Sequence, residues 1–362
     1  MEQSNVELRQ PSCAASYIAE LVARGPMFFV DGADVEIHGL SVDRDVLPLV
    51  VNRKSNRSAA AWSPYRHYYS STLEEFGRHR SGIARGLARA LLSPAGAALR
   101  LLSFDKAVFV NHWLVNSNPG VQLSSTQIGE LRKQLQSHYP DFAIVVPSVN
   151  PAIDASVCTA LRENGFRFVR RRCVYVLNCN TKDYLLHGNT RADLRLLRRS
   201  AYEMIDAPDV LNAHADRMRD LYQSLYLRKY SRWNPRLSAE FFRLTLRTNA
   251  LRYQALVRDG RVDAFVGFFL QEKLMTAAVM GYDQTIGREA GLYRAALALL
   301  IAEAGRRGVL LNLGGGVGQF KMLRGAVPVE EFDAVCDEHL PFSRRLPWRA
   351  VEIAARVGVL PP

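Results

Sequence analysis

The sequence predicts a mixed α/β chain built as two successive domains. Three observations carry this expectation. A length of 362 residues suits about two domains at ~150 residues each, and 48% hydrophobic residues are enough to fill two cores. Strand and helix patterns alternate between residues 107 and 177. Between residues 253 and 325 a three-strand meander runs into a helix, a short strand and a glycine cluster.

In chain order, Cys13 to Arg24 reads as a helix, Met27 to Val30 as a strand and Asp45 to Asn52 as another apolar segment. A polar, basic stretch, Arg53 to Ser58, precedes Trp62-Ser63-Pro64-Tyr65-Arg66-His67-Tyr68-Tyr69, where Pro64 fixes a turn or extended backbone and the aromatics suit a pocket wall. From Thr72 to Arg100, Leu73, Phe76, Ile83, Leu87, Leu91 and Leu92 fall at helical spacings between arginines. That pattern fits a solvated basic helix better than a membrane-surface one, because the apolar stripe is no wider than packing requires. Ala107 to Leu114 and Ala143 to Val146 read as strands around a serine-capped helix, Ser125 to His138. A helix from Asp154 to Asn164 stops at Gly165, and Phe166 to Leu177 resumes as strand.

The second half opens with a composition change at Lys182 to Ser200. His187-Gly188-Asn189-Thr190 caps a helix on which Arg191, Arg195, Arg198 and Arg199 share roughly one face. Domains are therefore expected over 1–185 and 186–340, with a helical tail over 341–362. Asp206 to Lys229 and Ser238 to Thr248 are helical, joined by the polar, aromatic turn Lys229 to Pro235. Tyr253 to Val257, Val262 to Gln271 and Lys273 to Gly281 form the meander. The helix from Ala290 to Arg306, the strand Val309 to Leu313 and the run from Gly314 to Lys321 then offer backbone N–H groups to a phosphate or an oxyanion.

Composition narrows the function classes. No apolar run approaches the ~20 residues of a membrane span, and the start of the chain lacks the basic and apolar regions of an export signal, so a cytoplasmic location is expected. Cys13, Cys158, Cys173, Cys179 and Cys336 have neither paired spacing nor nearby histidine pairs, which favours neither a disulfide frame nor a metal site. The charge of +12 favours anionic partners: CoA phosphates, tRNA, an acidic carrier protein or a membrane surface.

The helices, meander, helix and strand of residues 185 to 335, with Ala264 to Leu270 as central strand and Phe320-Lys321 closing the glycine-rich turn, resemble the acyl-CoA N-acyltransferase (GNAT) superfamily. The likeness is to its double-domain branch of BioF-like and FemABX-like transferases. The resemblance implies two tandem GNAT-like domains, each a mixed, mostly antiparallel sheet flanked by helices, the first a diverged copy of the second. It also implies an N-acyltransferase that joins an activated acyl group to a small amine or amino-acid-like acceptor. Acyl-CoA is the implied co-substrate, with no tightly bound cofactor. In the family's pyrophosphate-binding pattern, Arg288-Glu289-Ala290-Gly291-Leu292-Tyr293 has a tyrosine where a small residue belongs. That departure opens an alternative, an aminoacyl-tRNA-dependent transferase gripping RNA through Arg191, Arg195, Arg198 and Arg199, and a second, a non-catalytic binding module.

Amide formation needs a deprotonated amine and a donor for the developing oxyanion. Lys321 is the expected charge beside the glycine cluster. Asp283 and Tyr282 are candidates for the general base, and Asn312 for an oxyanion donor. Arg288, Gly291, Gly314, Gly315, Gly316 and Phe320 are expected at the acyl donor. Tyr226, Lys229, Tyr230 and Asn234, with Tyr65 and Tyr68 from the first half, are expected at the acceptor.

Overall fold

A computed structural model describes residues 13–43, 45–53, 59–78 and 82–357, with the side chains of 76–91 outside the description. Lys54 to Ser58 of the basic stretch, and the side chains of Phe76, Ile83, Leu87 and Leu91, thus lie outside the described residues. The strands are β1 (Val30–Asp31), β2 (Glu36–Val42), β3 (Asp45–Asn52), β4 (Ala107–Val110), β5 (Ala143–Val149), β6 (Arg167–Asn178) and β7 (Glu203–Ile205). They continue as β8 (Arg236–Leu237), β9 (Arg252–Arg258), β10 (Arg261–Leu270), β11 (Leu274–Tyr282), β12 (Leu310–Asn312) and β13 (Val327–Cys336). β1 and β8 make a small ribbon. The other eleven form one sheet in the order β2-β3-β4-β5-β13-β6-β12-β11-β10-β9-β7.

The sheet repeats itself outward from its centre. β13 and β6 pair antiparallel, and each side then runs through an antiparallel neighbour, a parallel pair and further antiparallel strands, β3 and β2 on one side and β10, β9 and β7 on the other. The parallel pairs are β4·β5 in the first half and β11·β12 in the second, each joined by a crossover helix, Ser125–His138 and Leu292–Arg307. Each half has given its last strand to the other: β6 lies beside β12, and β13 beside β5. The two halves cannot part without tearing the sheet.

Local chemistry explains where helices begin. Ser124 Oγ accepts from the Gln127 amide while Gln127 reaches back to the Ser124 amide, closing a capping box. Asp154 and Ser238 cap the helices Ala155–Glu163 and Ala239–Arg247 with single bonds, accepting from the Val157 and Phe241 amides. Three expectations change. Met27 to Val30 is not a strand: Pro26, at the first helical position, starts the turn Pro26–Phe29, and only Val30 and Asp31 pair with β8. The residues after Pro64 form a π-helix, Tyr65–Ser70, because Asp105 Oδ1 accepts from the Tyr65 amide (2.8 Å) and Ser63 Oγ from the Arg66 amide (3.0 Å). Residues 206 to 229 divide into Pro208–Ala213, Ala215–Gln223 and a second π-helix, Ser224–Tyr230. π-helical turns concentrate at functional sites.

The centre of the sheet is charged. Arg171 of β6 is buried and donates through Nη1 to both carboxylate oxygens of Asp333 at 3.0 Å. Glu331 accepts from Arg172 Nε at 2.8 Å, and Tyr68 donates to Asp333 at 2.7 Å. Removing one partner strands a buried charge, which costs about 3–5 kcal/mol, whereas replacing both with apolar side chains costs far less. Asp333→Ala is therefore expected to lower chemical-denaturation stability by that amount, and Arg171→Met/Asp333→Leu to recover most of it. A single variant as stable as the parent would contradict this account of the central pair.

Candidate active site

β11 and β12 run together only while Leu274, Met275 and Thr276 face Leu310, Leu311 and Asn312. Past that register they part. β11 continues against β10 to Tyr282, while the other chain turns through Leu313 to Val317 into the helix Gly318–Met322. Among the described residues, the β11 backbone from Ala277 onward has no strand partner on the parted side. A bulge bends it further: Gly267 pairs with Val279 and Phe268 with Ala277, which leaves Ala278 as the extra residue.

The gap is a cleft of about 360 Å³, with Ala277 to Met280 on one wall and Leu313 to Val317 and Lys321 on the other. Its size is ordinary for a small-molecule site. Tyr226, Tyr230, Trp233 and Asn234 line it from the second half, and His67, Asn116, Ser117, Arg171 and Arg172 from the first. The mouth is stitched across the halves: Asn116 Nδ2 donates to Asn234 Oδ1 (2.8 Å), and the Ala60 amide to the Trp233 carbonyl (2.8 Å).

Lys321, 4% exposed, donates through Nζ to the carbonyls of Leu313, Gly314 and Gly315 at 2.8, 2.9 and 2.7 Å. All three ammonium protons are thereby used. Burial, and then the Arg172 guanidinium, pull its pKa down to about 7. A peptide carbonyl and the next N–H point opposite ways, so this clamp turns the amides of Gly315 and Gly316 away from the lysine. Neither amide has a protein hydrogen bond among the described residues. Gly314 and Gly316 hold φ of 67° and 73°, which a side chain would strain.

His67 sits on the first π-helix. Its Nε2 lies 3.2 Å from the Arg171 carbonyl, which can only accept, so Nε2 carries the proton and Nδ1 keeps a free lone pair. Burial, reinforced by Arg171, holds the ring well below the usual histidine pKa and therefore neutral.

Several expected residues sit elsewhere. Tyr65 and Tyr68 are corrected: both are buried in the core, Tyr68 bound to Asp333, because the π-helix turns His67 rather than the tyrosines into the cleft. Asp283 is corrected as a base. Burial raises its pKa, but hydrogen bonds from Thr285 and Arg217, the latter at 2.6 Å, bring it down to about 2, and it does not line the cleft. Asn312 is corrected too: its Oδ1 accepts from the Gly314 amide (2.9 Å), and it faces a separate small cavity with Thr276, Asn118 and Asn150. Tyr282 and Lys229 bond to each other at 3.0 Å outside the cleft lining.

At the helix Leu292–Arg307, Gly291 holds φ of 63° as its N-cap and Arg288 is exposed just before it. Tyr293, in the first turn, packs against Phe320 (4.9 Å) and Tyr282 (5.7 Å), and Arg324 covers Phe320 at 3.3 Å. This cluster of tilted rings stands at the helix start. Arg191, Arg195, Arg198 and Arg199 lie on the neighbouring helix Gly188–Arg199, with no ion pair among the described residues. Sequence reasoning missed Arg171, Arg172, Asn116 and Ser117 as cleft residues. The alternation of strand residues 167 to 178 located β6, but only its pairing with β13 shows which side chains face the gap.

No protein-family model matches the chain, and no curated protein matches its sequence. Among solved structures, the C-terminal domain of a protein designated lysylphosphatidylglycerol synthetase from Agrobacterium fabrum is similar over 95% of this chain and 97% of that one, at 9% identity and a TM-score of 0.50. FemX is similar over 64% of this chain and 81% of its own, at 10% identity and TM-score 0.46. A tandem GNAT protein from the clavulanic acid biosynthesis pathway is similar over 65% and 76%, at 13% identity and TM-score 0.37. At these identities the likeness concerns the fold. The expected mixed architecture is the observed one: one large, mostly antiparallel sheet flanked by helices.

The Asp283 assignment has a pH signature. Its carboxylate is held below its unfolded pKa, so the stabilisation is complete above ~4 and is lost as pH falls toward 2. Asp283→Asn should cost on the order of 1–2 kcal/mol at pH 7, with the gap to the parent closing by pH 2, as read by urea unfolding at several pH values. A gap that stays constant with pH would show that the carboxylate charge is not what Arg217 and Thr285 hold.

Proposed function

We propose that the protein is a transferase that moves an activated acyl or aminoacyl group onto a small amine in the cleft between β11 and β12. The observation that supports this reading is the parting of the two parallel strands beside a buried lysine clamp. Unpaired β11 backbone on one side and the free amides of Gly315 and Gly316 on the other can grip an extended donor and the oxygen of its carbonyl.

In this reading the amine nitrogen attacks the donor carbonyl carbon, forming the N–C bond and a tetrahedral oxyanion. Collapse then breaks the bond to the thiolate or alkoxide leaving group. The amine proton passes to His67 Nδ1, on a ring that lines the cleft and whose Nε2 is held by the Arg171 carbonyl, and on to the leaving group. Arg172, with Nε on Glu331 (2.8 Å) and Nη2 on Ser117 (2.9 Å), adds positive charge near the oxyanion. Lys321 acts as a positioning residue, because its three protons are committed to the carbonyls that aim the loop. Tyr226, Tyr230 and Asn234 form the acceptor wall.

Two observations favour an aminoacyl-tRNA donor over acyl-CoA. Tyr293 and Phe320 pack together beside the helix start where a pyrophosphate would approach backbone amides, and four arginines without an ion pair among the described residues line the adjacent helix. If that reading holds, RNA affinity falls steeply with salt, and replacing Arg191 and Arg195 with Ser weakens it. With acyl-CoA as donor, free thiol appears when an acyl-CoA panel is mixed with small amines, and salt has little effect. A protein inert with both donor classes would sink the transferase reading and leave a binding module.

Lys321 supplies a pH test. If its ammonium orients the loop, kcat declines as pH rises through about 7, and Lys321→Ala loses turnover at every pH. Unchanged turnover in that variant, with intact folding by circular dichroism, would remove Lys321 from the mechanism.

A further inference from the structure

The last described helix, Phe342–Arg356, has two faces with different environments. Trp348, Val351 and Ala355 are buried, with Trp348 packed on Phe104 at 4.8 Å, and Arg167 of β6 bridges Glu352 and Asp337. The opposite face is apolar yet open to solvent: Phe342 is 70% exposed, Leu346 45%, Ile353 60% and Val357 67%. At about 100° per residue these four side chains fall within an arc of about 60°, with Arg345, Arg349 and Arg356 in the adjoining arc of about 60°. The Arg349 and Arg356 side chains are 52% and 73% exposed. The one carboxylate paired with them among the described residues, Glu352, is also held by Arg167.

Exposed large apolar residues gathered on one helix face mark a surface that something covers. Charge selects what covers it. Two copies of this chain meeting through the stripe would bring six arginines together on molecules of charge +12 each, which opposes self-association. A bilayer rich in anionic lipid satisfies both features, since its acyl boundary accepts the apolar stripe and its phosphates accept the arginines beside it. We propose that Phe342–Arg356 is a peripheral docking surface for an anionic membrane, lying in the headgroup plane with Phe342, Leu346, Ile353 and Val357 inserted. The buried Trp348 face fixes the helix to the sheet, so docking of the helix holds the sheet at the lipid surface. No helix among the described residues is long and apolar enough to cross a membrane.

The test uses the full chain and sedimentation with vesicles of phosphatidylcholine alone or mixed with phosphatidylglycerol, at physiological ionic strength. The protein is expected to sediment with the anionic vesicles, to be released by added salt, and to remain free with phosphatidylcholine alone. Phe342→Ser/Ile353→Ser, both at exposed positions, is expected to weaken partition at least tenfold. Arg345→Ser and Arg349→Ser are each expected to weaken it roughly fivefold. A Leu346→Trp variant reports insertion independently, by a blue shift of its emission on anionic vesicles. The proposal is overturned if the chain ignores both vesicle types, if it binds both equally, or if the emission of the Leu346→Trp variant does not move. It is also overturned if light scattering shows a dimer that Phe342→Ser/Ile353→Ser dissolves, since the stripe is then a protein interface.

Discussion

The exchange of last strands at the middle of the sheet is the constraint on which the rest depends. β6 and β13 pair through most of their length, and each completes the other half's sheet. This places Arg171, Arg172 and Cys173 of the first half against the glycine loop of the second, with the Gly315 Cα close to the Cys173 carbonyl; an added Cβ there would lie 3.2 Å from that oxygen. The cleft is thus a property of the joined halves. Neither half, as a separate chain, would contain it. The buried ion pairs at the same place make the pairing specific: a β13 slipped by one residue would turn Glu331 and Asp333 away from the arginines.

The loop after β4, residues 111 to 124, is fixed by its own bonds and by the second half: Trp113 is tied to Asn111 and Asn118, and Gly120 is bonded to Gln271 at 3.0 and 2.7 Å. The same loop carries Asn116 and Ser117 to the cleft. Lys321 is the fourth residue of the helix after β12, and the fourth residue of the helix after β5 is a buried thiol, Cys158. Both halves therefore line the cleft: the second with the glycine loop and Lys321, the first with His67, Arg171 and Arg172.

Much of the fold was legible because its signals are local. The serine and aspartate caps, the meander and the Ala/Leu-rich crossover helix follow from spacing alone. β13 was not legible: Pro328, Glu330, Glu331 and Asp333 interrupt its apolar alternation, and the arginines that make those acids tolerable lie on β6, far away in sequence. The same long-range pairing explains the site errors. Asp283 looked like a free turn carboxylate until Arg217 of a preceding helix was found on it, and Asn312 looked like a free amide until the Gly314 amide was. Lys321 and the glycines were legible as a group, whereas the role of the lysine as a clamp on three carbonyls required the fold.

The central claim is that the donor carbonyl lies between the parted strands, and hydrogen exchange read peptide by peptide tests it most directly. With a stable donor mimic bound, either an acyl-CoA thioether or an aminoacyl-RNA with an amide in place of its ester, the amides of Ala277 to Met280 and of Gly315 and Gly316 should slow together. The amides next to Trp113, a residue that does not line the cleft, should not change. Protection that appears elsewhere while both cleft walls exchange as in the free protein would contradict the account.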